Sequence, residues 1–510
     1  MALTFDHVSF AYDGSPLEIV CDLSAHFPLG WTGVVGANGV GKSTVLQLAS
    51  GLLVPTRGVV RGNEVALYCP QRTDDAPAHF EEFAEDYSAE PIVLRRRLGI
   101  GDDWPVRWQS LSHGERKRAQ LAVALWQAPD LLAIDEPTNH LDEKARRQVE
   151  EALRAFTGVG ILVSHDRALL DSLCGQCLLL EHSSASMRPG GYTVASQQRV
   201  QEQEAARTDR EQAAAELKRL RRVQASRRAQ ADQAKAKRSA KGLARHDSDG
   251  RARRQAAIVS GKDGQAGRLL SQLESRLQRA RDRLAAIPTE KVERTGIWLS
   301  STRSPRKTIV NLPAGSLAVG TTRRLVLPHL TLGPSDRVAL TGPNGAGKTT
   351  LVRQLLEEIT LPPERIVYVP QEVTAEECAS LLDEIKTSDD ATLGRLLNSV
   401  SRLGSRPEQL LGSRLPSPGE TRKLMLAMGV LREPHIVVMD EPTNHLDLPA
   451  IESLEAALSE TPCALLLVSH DRTFLSRLCT IEWRLDQSGE GMCLTVSAMD
   501  DEALPDTGAS

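Results

Sequence analysis

Gly36-Ala37-Asn38-Gly39-Val40-Gly41-Lys42-Ser43 and Asp135-Glu136-Pro137-Thr138-Asn139-His140-Leu141-Asp142 decide how this chain is read, because each occurs twice in the same order. The first returns as Gly342-Pro343-Asn344-Gly345-Ala346-Gly347-Lys348-Thr349, 306 positions on. The second returns as Asp440-Glu441-Pro442-Thr443-Asn444-His445-Leu446-Asp447, 305 positions on. A Gly-rich loop ending in Gly-Lys-Ser/Thr suits phosphate: the glycines let backbone N–H groups curl around the anion, at a helix N-terminus whose partial positive charge favours it. Two nucleotide-hydrolysing domains in tandem follow.

Working outward, each loop follows an apolar strand, Val34-Val35 and Val338-Ala339-Leu340. Gly36, Asn38, Gly39, Gly41, Thr44 and their repeats Gly342, Asn344, Gly345, Gly347, Thr350 are the expected cradle, with Lys42 and Lys348 reaching the β- and γ-phosphates. The hydroxyls of Ser43 and Thr349 are expected to ligate magnesium. Leu131-Leu132-Ala133-Ile134 and Ile436-Val437-Val438-Met439 are continuous apolar runs, as in strands buried on both faces of a parallel sheet. Each delivers its Asp-Glu pair at the C-terminal end, where open α/β sheets place ligands. Asp135 and Asp440 are therefore read as metal ligands, and Glu136 and Glu441 as the groups that orient and polarise attacking water. Val163-Ser164-His165-Asp166-Arg167 returns as Val468-Ser469-His470-Asp471-Arg472. Both histidines are assigned to γ-phosphate contact. Gln71 and Gln371, each after a Tyr-x-Pro, fit a metal or water contact at a strand end.

With 510 residues the chain suits two domains of about 200 residues and a connector. No run of 18 apolar residues occurs, and Met1-Ala2-Leu3-Thr4-Phe5-Asp6 does not resemble a secretory signal, so a soluble cytoplasmic protein is expected. The 8 cysteines form no disulfide framework, and the Cys174/Cys177 pair has no second pair to complete a zinc site.

The net charge of −4 conceals an asymmetry: 22 Lys and Arg stand against 9 Asp and Glu between Ala205 and Ala285. No Phe, Trp, Tyr or Cys occurs from Thr193 to Ile297, so this connector reads as long helices and not as a core. Leu270, Leu273, Leu277, Ala280 and Leu284 form a coiled-coil seam, matched by Ala206, Ala213, Leu217 and Leu220. The turn of the hairpin is placed at 241–264, where glycines accumulate. The expected divisions are 1–195, a basic helical hairpin over 196–290, a second globular domain over 291–495, and an acidic disordered tail over 496–510.

Taken together, these motifs resemble the ATP-binding-cassette family, whose phosphate loop, glutamine loop, helix-opening element, Asp-Glu strand and switch histidine occur in order in both halves. The resemblance implies an α/β fold of two ATP-binding-cassette P-loop NTPase domains joined by a long α-helical hairpin linker, with ATP and magnesium as cofactors. The helix-opening elements depart from the family's LSGGQ: Leu111-Ser112-His113-Gly114-Glu115 and Pro416-Ser417-Pro418-Gly419-Glu420. In each, Ser can cap the helix and Glu can complete a capping box, and Pro418 is tolerated at the first helical position. The family pattern implies that Ser417 and Gly419 complete the site of Lys42 and Glu136, and that Ser112 and Gly114 complete that of Lys348 and Glu441. It also implies an adenine-stacking role for Tyr12, which has no aromatic counterpart around Leu317-Ala318-Val319-Gly320.

Two cassettes, no membrane segment and a long charged linker look most like ABC-F translation factors. A transporter's fused ATPase subunit has only a short connector, and a DNA-repair ATPase carries its insertion inside a cassette. Only 41 residues separate Gln71 from Ser112. That leaves little room for the added arm of housekeeping ABC-F factors, so the resemblance points to the antibiotic-resistance branch, with a translation regulator as the alternative. A ribosome-binding monomer with intramolecular cassette pairing is implied. From Lys218 to Arg254, 14 basic residues face 3 acids, suited to phosphate neutralisation. Arg238, Lys241, Arg245, His246 and Arg251 are the candidate contacts to ribosomal RNA.

Overall fold

The computed structural model of the chain describes residues 2–14, 17–62, 65–139, 141–181, 184–238, 262–287, 301–320, 323–403, 416–444, 446–488 and 491–499. It contains two compact units: Met1–Ala195 together with Glu293–Ser510, and Ser196–Val292.

The larger unit holds both cassettes. In the first, the parallel strands run in the order Ala66–Cys69, Leu131–Asp135, Val159–Val163, Gly30–Gly36, Cys174–Leu180, with Leu131–Asp135 and Val159–Val163 fully buried and Ala185–Pro189 added antiparallel at the edge. The second repeats that order as Ile366–Val369, Ile436–Asp440, Ala464–Val468, Arg337–Thr341, Ile481–Ser488, again with an antiparallel neighbour, Gly491–Ala498. Apolar side chains from both faces of each sheet pack under helices, giving two core layers per cassette. This doubly covered sheet brings the phosphate loop, the Asp-Glu pair and the switch histidine to one edge, since all three leave the C-terminal ends of neighbouring strands.

The cassettes differ at the antiparallel hairpin beside the phosphate loop. In the first, Leu3–Phe10 and Val20–Phe27 pair as far as Phe10 and Val20, leaving a nine-residue connection. In the second, Gly315–Val319 and Arg323–Leu327 pair to Val319 and Arg323, leaving three residues. The strand Gly491–Ala498 runs through the start of the expected tail at 496, with Val496 paired to Trp483. The alternation of apolar residues carries the sheet further than the acidic composition suggested.

In the smaller unit the connector is helical, as the helices Tyr192–Arg238, which starts in the first cassette, and Lys262–Ala286. Leu217, Leu273, Leu277 and Ala280 are buried on one seam, with Leu220 and Leu284 partly covered. The returning helix has already started at Lys262, so the turn ends before 264, and Gly264 and Gly267 lie inside the helix. The cost of about 1 kcal/mol per glycine is outweighed by the seam that follows. Of the RNA-contact candidates, Arg238 ends the outgoing helix, and Lys241, Arg245, His246 and Arg251 lie outside the described residues.

Candidate active sites

Each phosphate loop bends from strand into helix at a left-handed glycine, Gly41 (φ 103°) and Gly347 (φ 98°). A side chain at either position would also strike an apolar neighbour, Ile19 Cγ2 at 2.8 Å or Val319 Cγ2 at 2.7 Å. The lysines at the helix start fold back over their loops. Lys42 Nζ donates to the carbonyls of Gly36 (2.8 Å) and Ala37 (3.1 Å), and Lys348 Nζ to those of Gly342 (2.8 Å) and Pro343 (3.2 Å). Burial lowers the pKa of both ammonium groups, while the nearby carboxylates oppose that shift. A nucleotide phosphate would supply opposite charge to such a poorly solvated cation.

The next residue meets, at a corner of the site, the carboxylate read from the sequence as a metal ligand. Ser43 Oγ donates to Asp135 Oδ2 at 2.6 Å, and Thr349 Oγ1 to Asp440 Oδ2 at 2.9 Å. These are hard oxygen donors without sulfur or imidazole, the set that suits magnesium. Among the described residues no cluster of three or more His, Cys, Asp or Glu is arranged to hold a metal. An ion at this corner would draw its other ligands from water and phosphate, as magnesium does. Gln71 and Gln371 line the same cavities.

Glu136 and Glu441 share an unusual backbone: both have φ 50°, in the left-handed region that a non-glycine residue rarely adopts. Their amides donate to the carbonyls of Val163 (2.9 Å) and Val468 (2.8 Å) on the neighbouring strands. Burial, reinforced by Asp135, raises the Glu136 carboxyl to about 8; burial raises Glu441 to about 7. Nε2 of His165 lies 3.2 Å from Glu136 Oε1 but without hydrogen-bond geometry, so this buried oxygen has no donor; Glu441 Oε1 is in the same position, 3.4 Å from His470 Nε2. A buried carboxylate oxygen without a partner beside a phosphate loop is placed to accept from water.

The two histidines are neutral for the same reason and differ in their contacts. Burial and the adjacent lysine bring His165 down to about 3 and His470 to about 2. His470 Nε2 lies 3.1 Å from both Lys348 Nζ and Asn344 Oδ1. The ring of His470 thus links Lys348 to Asn344 of the phosphate loop.

Both helix-opening elements form capping boxes. Ser112 accepts from the Glu115 amide and Ser417 from the Glu420 amide, each glutamate reaches back, and Pro418 occupies the first turn. Ser417 and Gly419 line a cavity of about 570 Å³ with Lys42, Ser43, Gln71, Glu136 and His165. The first site is therefore built from both cassettes. At the second, Lys348, Thr349, Thr350, Asp440, Glu441 and His470 line one cavity of about 400 Å³. Ser112 and Gly114 face an adjoining cavity that shares Asn344, Gln371 and Asn444 with it. Tyr12 is 42% exposed and stands outside the lining; its hydroxyl is 3.3 Å from Thr44 Oγ1 and its ring packs edge-on against Phe10.

Sequence reasoning missed several participants. Asp447 Oδ2 accepts from the Asn38 amide of the other cassette at 2.7 Å, although the residue closes the repeated Asp-Glu motif. Tyr68 donates to Asp135 at 3.3 Å, and its place in the repeated Tyr-x-Pro-Gln was a usable signal. Ile19 and Val319 left no such signal, because one precedes the second strand of its hairpin and the other ends the first.

Paired phosphate loops, each with a hydroxyl–carboxylate hydrogen bond, a buried glutamate and a mostly buried histidine, define a twin-cassette nucleotide hydrolase. The family described as ABC transporter matches residues 22–139 and 325–444. The chain is 29% identical to the ribosome protection protein VmlR of Bacillus subtilis over 469 residues, covering 90% of this chain and 82% of that protein. It is 30% identical to the tylosin resistance ATP-binding protein TlrC of Streptomyces fradiae, covering 87% and 90%. Its fold is similar to that of the archaeal ribosome recycling factor aABCE1, solved with the ribosomal stalk protein aP1, with TM-score 0.60 at 19% identity over 96% and 89% of the two chains. The chain belongs to the ATP-binding-cassette family, in its ABC-F branch of twin-cassette ATPases. Among the described residues no helix is long and apolar enough to cross a membrane.

Proposed function

We propose that this cytoplasmic ATPase binds the ribosome when ATP closes its cassettes, inserts the tip of its basic hairpin toward the peptidyl-transferase centre, and protects the ribosome from antibiotics. The observation that carries the ATP-driven part is the first cavity, lined by Lys42 and Glu136 from one cassette and by Ser417 and Gly419 from the other. Residues from both halves converge on one nucleotide, so binding favours the closed arrangement by the difference in affinity between closed and open forms. Lys42, Lys348 and the loop amides would hold the phosphates, and Ser43, Asp135, Thr349, Asp440 and the two glutamines would hold magnesium, which supplies charge neutralisation at the transferring phosphoryl group. Glu136 and Glu441 accept a proton from water aligned by their unpartnered oxygens, and His165 and His470 donate toward the γ-phosphate. Hydrolysis removes that contact, and the cassettes separate.

The ribosomal part is supported by the name of VmlR and by the basic hairpin, whose charge without aromatic residues suits sequence-independent phosphate contact, and the resistance part by the names of VmlR and TlrC. Sedimentation of the full chain carrying Glu136→Gln and Glu441→Gln with 70S ribosomes tests it: ATP-dependent co-sedimentation is expected, and binding indifferent to nucleotide would sink the reading. Growth assays with drugs of the large-subunit tunnel and peptidyl-transferase centre separate protection from regulation. Unchanged inhibitory concentrations would leave a translation regulator.

A further inference from the structure

Two buried cations lie outside the residues assigned to the ATP chemistry and stand at the same place in each repeat. Lys117 lies five residues after Ser112 on the helix His113–Trp126, and Arg422 five after Ser417 on Pro418–Leu431. They are 3% and 5% exposed. Lys117 Nζ donates to the carbonyl of Pro70 at 2.7 Å, next to Gln71, and to the carbonyl of Asp135 at 2.9 Å, in the peptide that enters Glu136. Arg422 Nη1 donates to the carbonyls of Glu441 (3.4 Å) and Asn444 (3.0 Å), in the turn that leaves the other glutamate. Burying a cation against neutral carbonyls is costly, and burial pushes the Lys117 ammonium down to about 8. Packing alone would be served better by an apolar side chain of similar size.

What the cations hold is the left-handed glutamate backbone. A residue at φ 50° persists only where its surroundings over-determine it. The amide of each glutamate is held by the neighbouring strand, at Val163 or Val468. The carbonyl of Asp135, just before Glu136, and the carbonyl of Glu441 itself are held by Lys117 and Arg422. The same side chains are fixed on the helix whose capped serine faces the opposite nucleotide.

We propose that Lys117 and Arg422 are positioning residues that hold the strained glutamate of their own cassette and tie it to the helix serving the other ATP site, so that each site's geometry is set partly by the other. The proposal rests on Glu136 and Glu441 being the groups that align water. In the full-length chain carrying Glu136→Gln, only the second site turns over, and Glu136 no longer contributes. Adding Lys117→Met there is expected to lower the remaining kcat about tenfold, through Ser112, while the Kd for a fluorescent ATP analogue stays within about twofold. Lys117→Arg, the second cassette's own solution, is expected to restore most of the rate. Equal turnover of Glu136→Gln with and without Lys117→Met would overturn the link. So would a Lys117→Arg protein that keeps the parent's melting temperature yet is as slow as Lys117→Met, which also covers a methionine variant that fails to fold. If Glu136→Gln alone leaves wild-type turnover, it is the role of the glutamate that fails, a result distinct from both.

Discussion

Arg167, two residues beyond the first switch histidine, forms a two-pronged ion pair with Glu455 of the second cassette, and both side chains are nearly removed from solvent, at 3% and 9% exposure. Arg477 reaches the same carboxylate at 2.9 Å. Arg472, the repeat of Arg167, instead meets Glu143 across the seam at 2.9 Å in a half-exposed pair. The repeat-related ion pair between cassettes is therefore buried beside one site and half-exposed beside the other.

Removal of Glu455 leaves two guanidinium groups without their shared anion, whereas removal of Arg477 leaves the Arg167 pair intact. Glu455→Ala is expected to destabilise the chain by about 3–5 kcal/mol, the cost of breaking a buried pair, and Arg477→Ala by about 1 kcal/mol or less. Glu143→Ala should also cost about 1 kcal/mol or less. Urea unfolding of the three variants checks the order, and equal losses would contradict the asymmetry.

Crossed completion of the sites predicts which serine serves which glutamate. With only the first site active, in Glu441→Gln, Ser417→Ala should lower kcat by about tenfold or more, while Ser112→Ala should change it little beyond the coupling through Lys117. With only the second site active, in Glu136→Gln, the ranking should reverse. Loss of a helix cap costs about 1 kcal/mol in either case, so melting temperatures should fall alike while the rates diverge.

The titration of the glutamates gives a sign for stability against pH without nucleotide. Their folded pKa values, about 8 for Glu136 and about 7 for Glu441, lie above the unfolded value of 4.5. Between 4.5 and those values the folded chain binds more protons, so this contribution to stability falls as pH rises. His165 and His470 act oppositely below their unfolded value of 6.5, since their folded values of about 3 and 2 keep them neutral. From 6.5 to 8 these two histidines no longer offset the glutamates. The Glu136→Gln, Glu441→Gln protein lacks that term, so its melting temperature should exceed the parent's by a margin that widens from about pH 5 to about pH 8, reaching about 2 °C or more. Calorimetry checks the trend.

For the hairpin, exposed Arg221, Arg222 and Arg227 stand among the basic residues past the apolar seam. Replacing all three with Gln should weaken ATP-dependent ribosome binding and flatten its dependence on salt, by about 0.7–0.9 in log–log slope for each phosphate no longer neutralised. Melting of the protein should not change, because no buried side chain is removed. Filter binding between low and moderate salt measures the slope.

Much of this was legible in the residues. The apolar runs before Asp135 and Asp440 are the fully buried strands they were read as, and the serine and glutamate of each altered opening element do cap their helix. Lys117 was not legible, because a lysine in an amphipathic helix ordinarily faces water and its burial depends on two carbonyls distant in sequence. The Arg167–Glu455 pair spans 288 positions with no local pattern to reveal it. Gly264 and Gly267 misled because local propensity was weighed without the packing that overrides it.

The glutamates at φ 50° give the protein a particular tempo. Their backbone is held in its strained form by the chain's own strand and helix contacts, so little of the cycle is spent building it. In the proposed cycle the slow events would be the halves coming together and moving apart, and a partner that holds them together would set the interval between turnovers without touching a reacting atom.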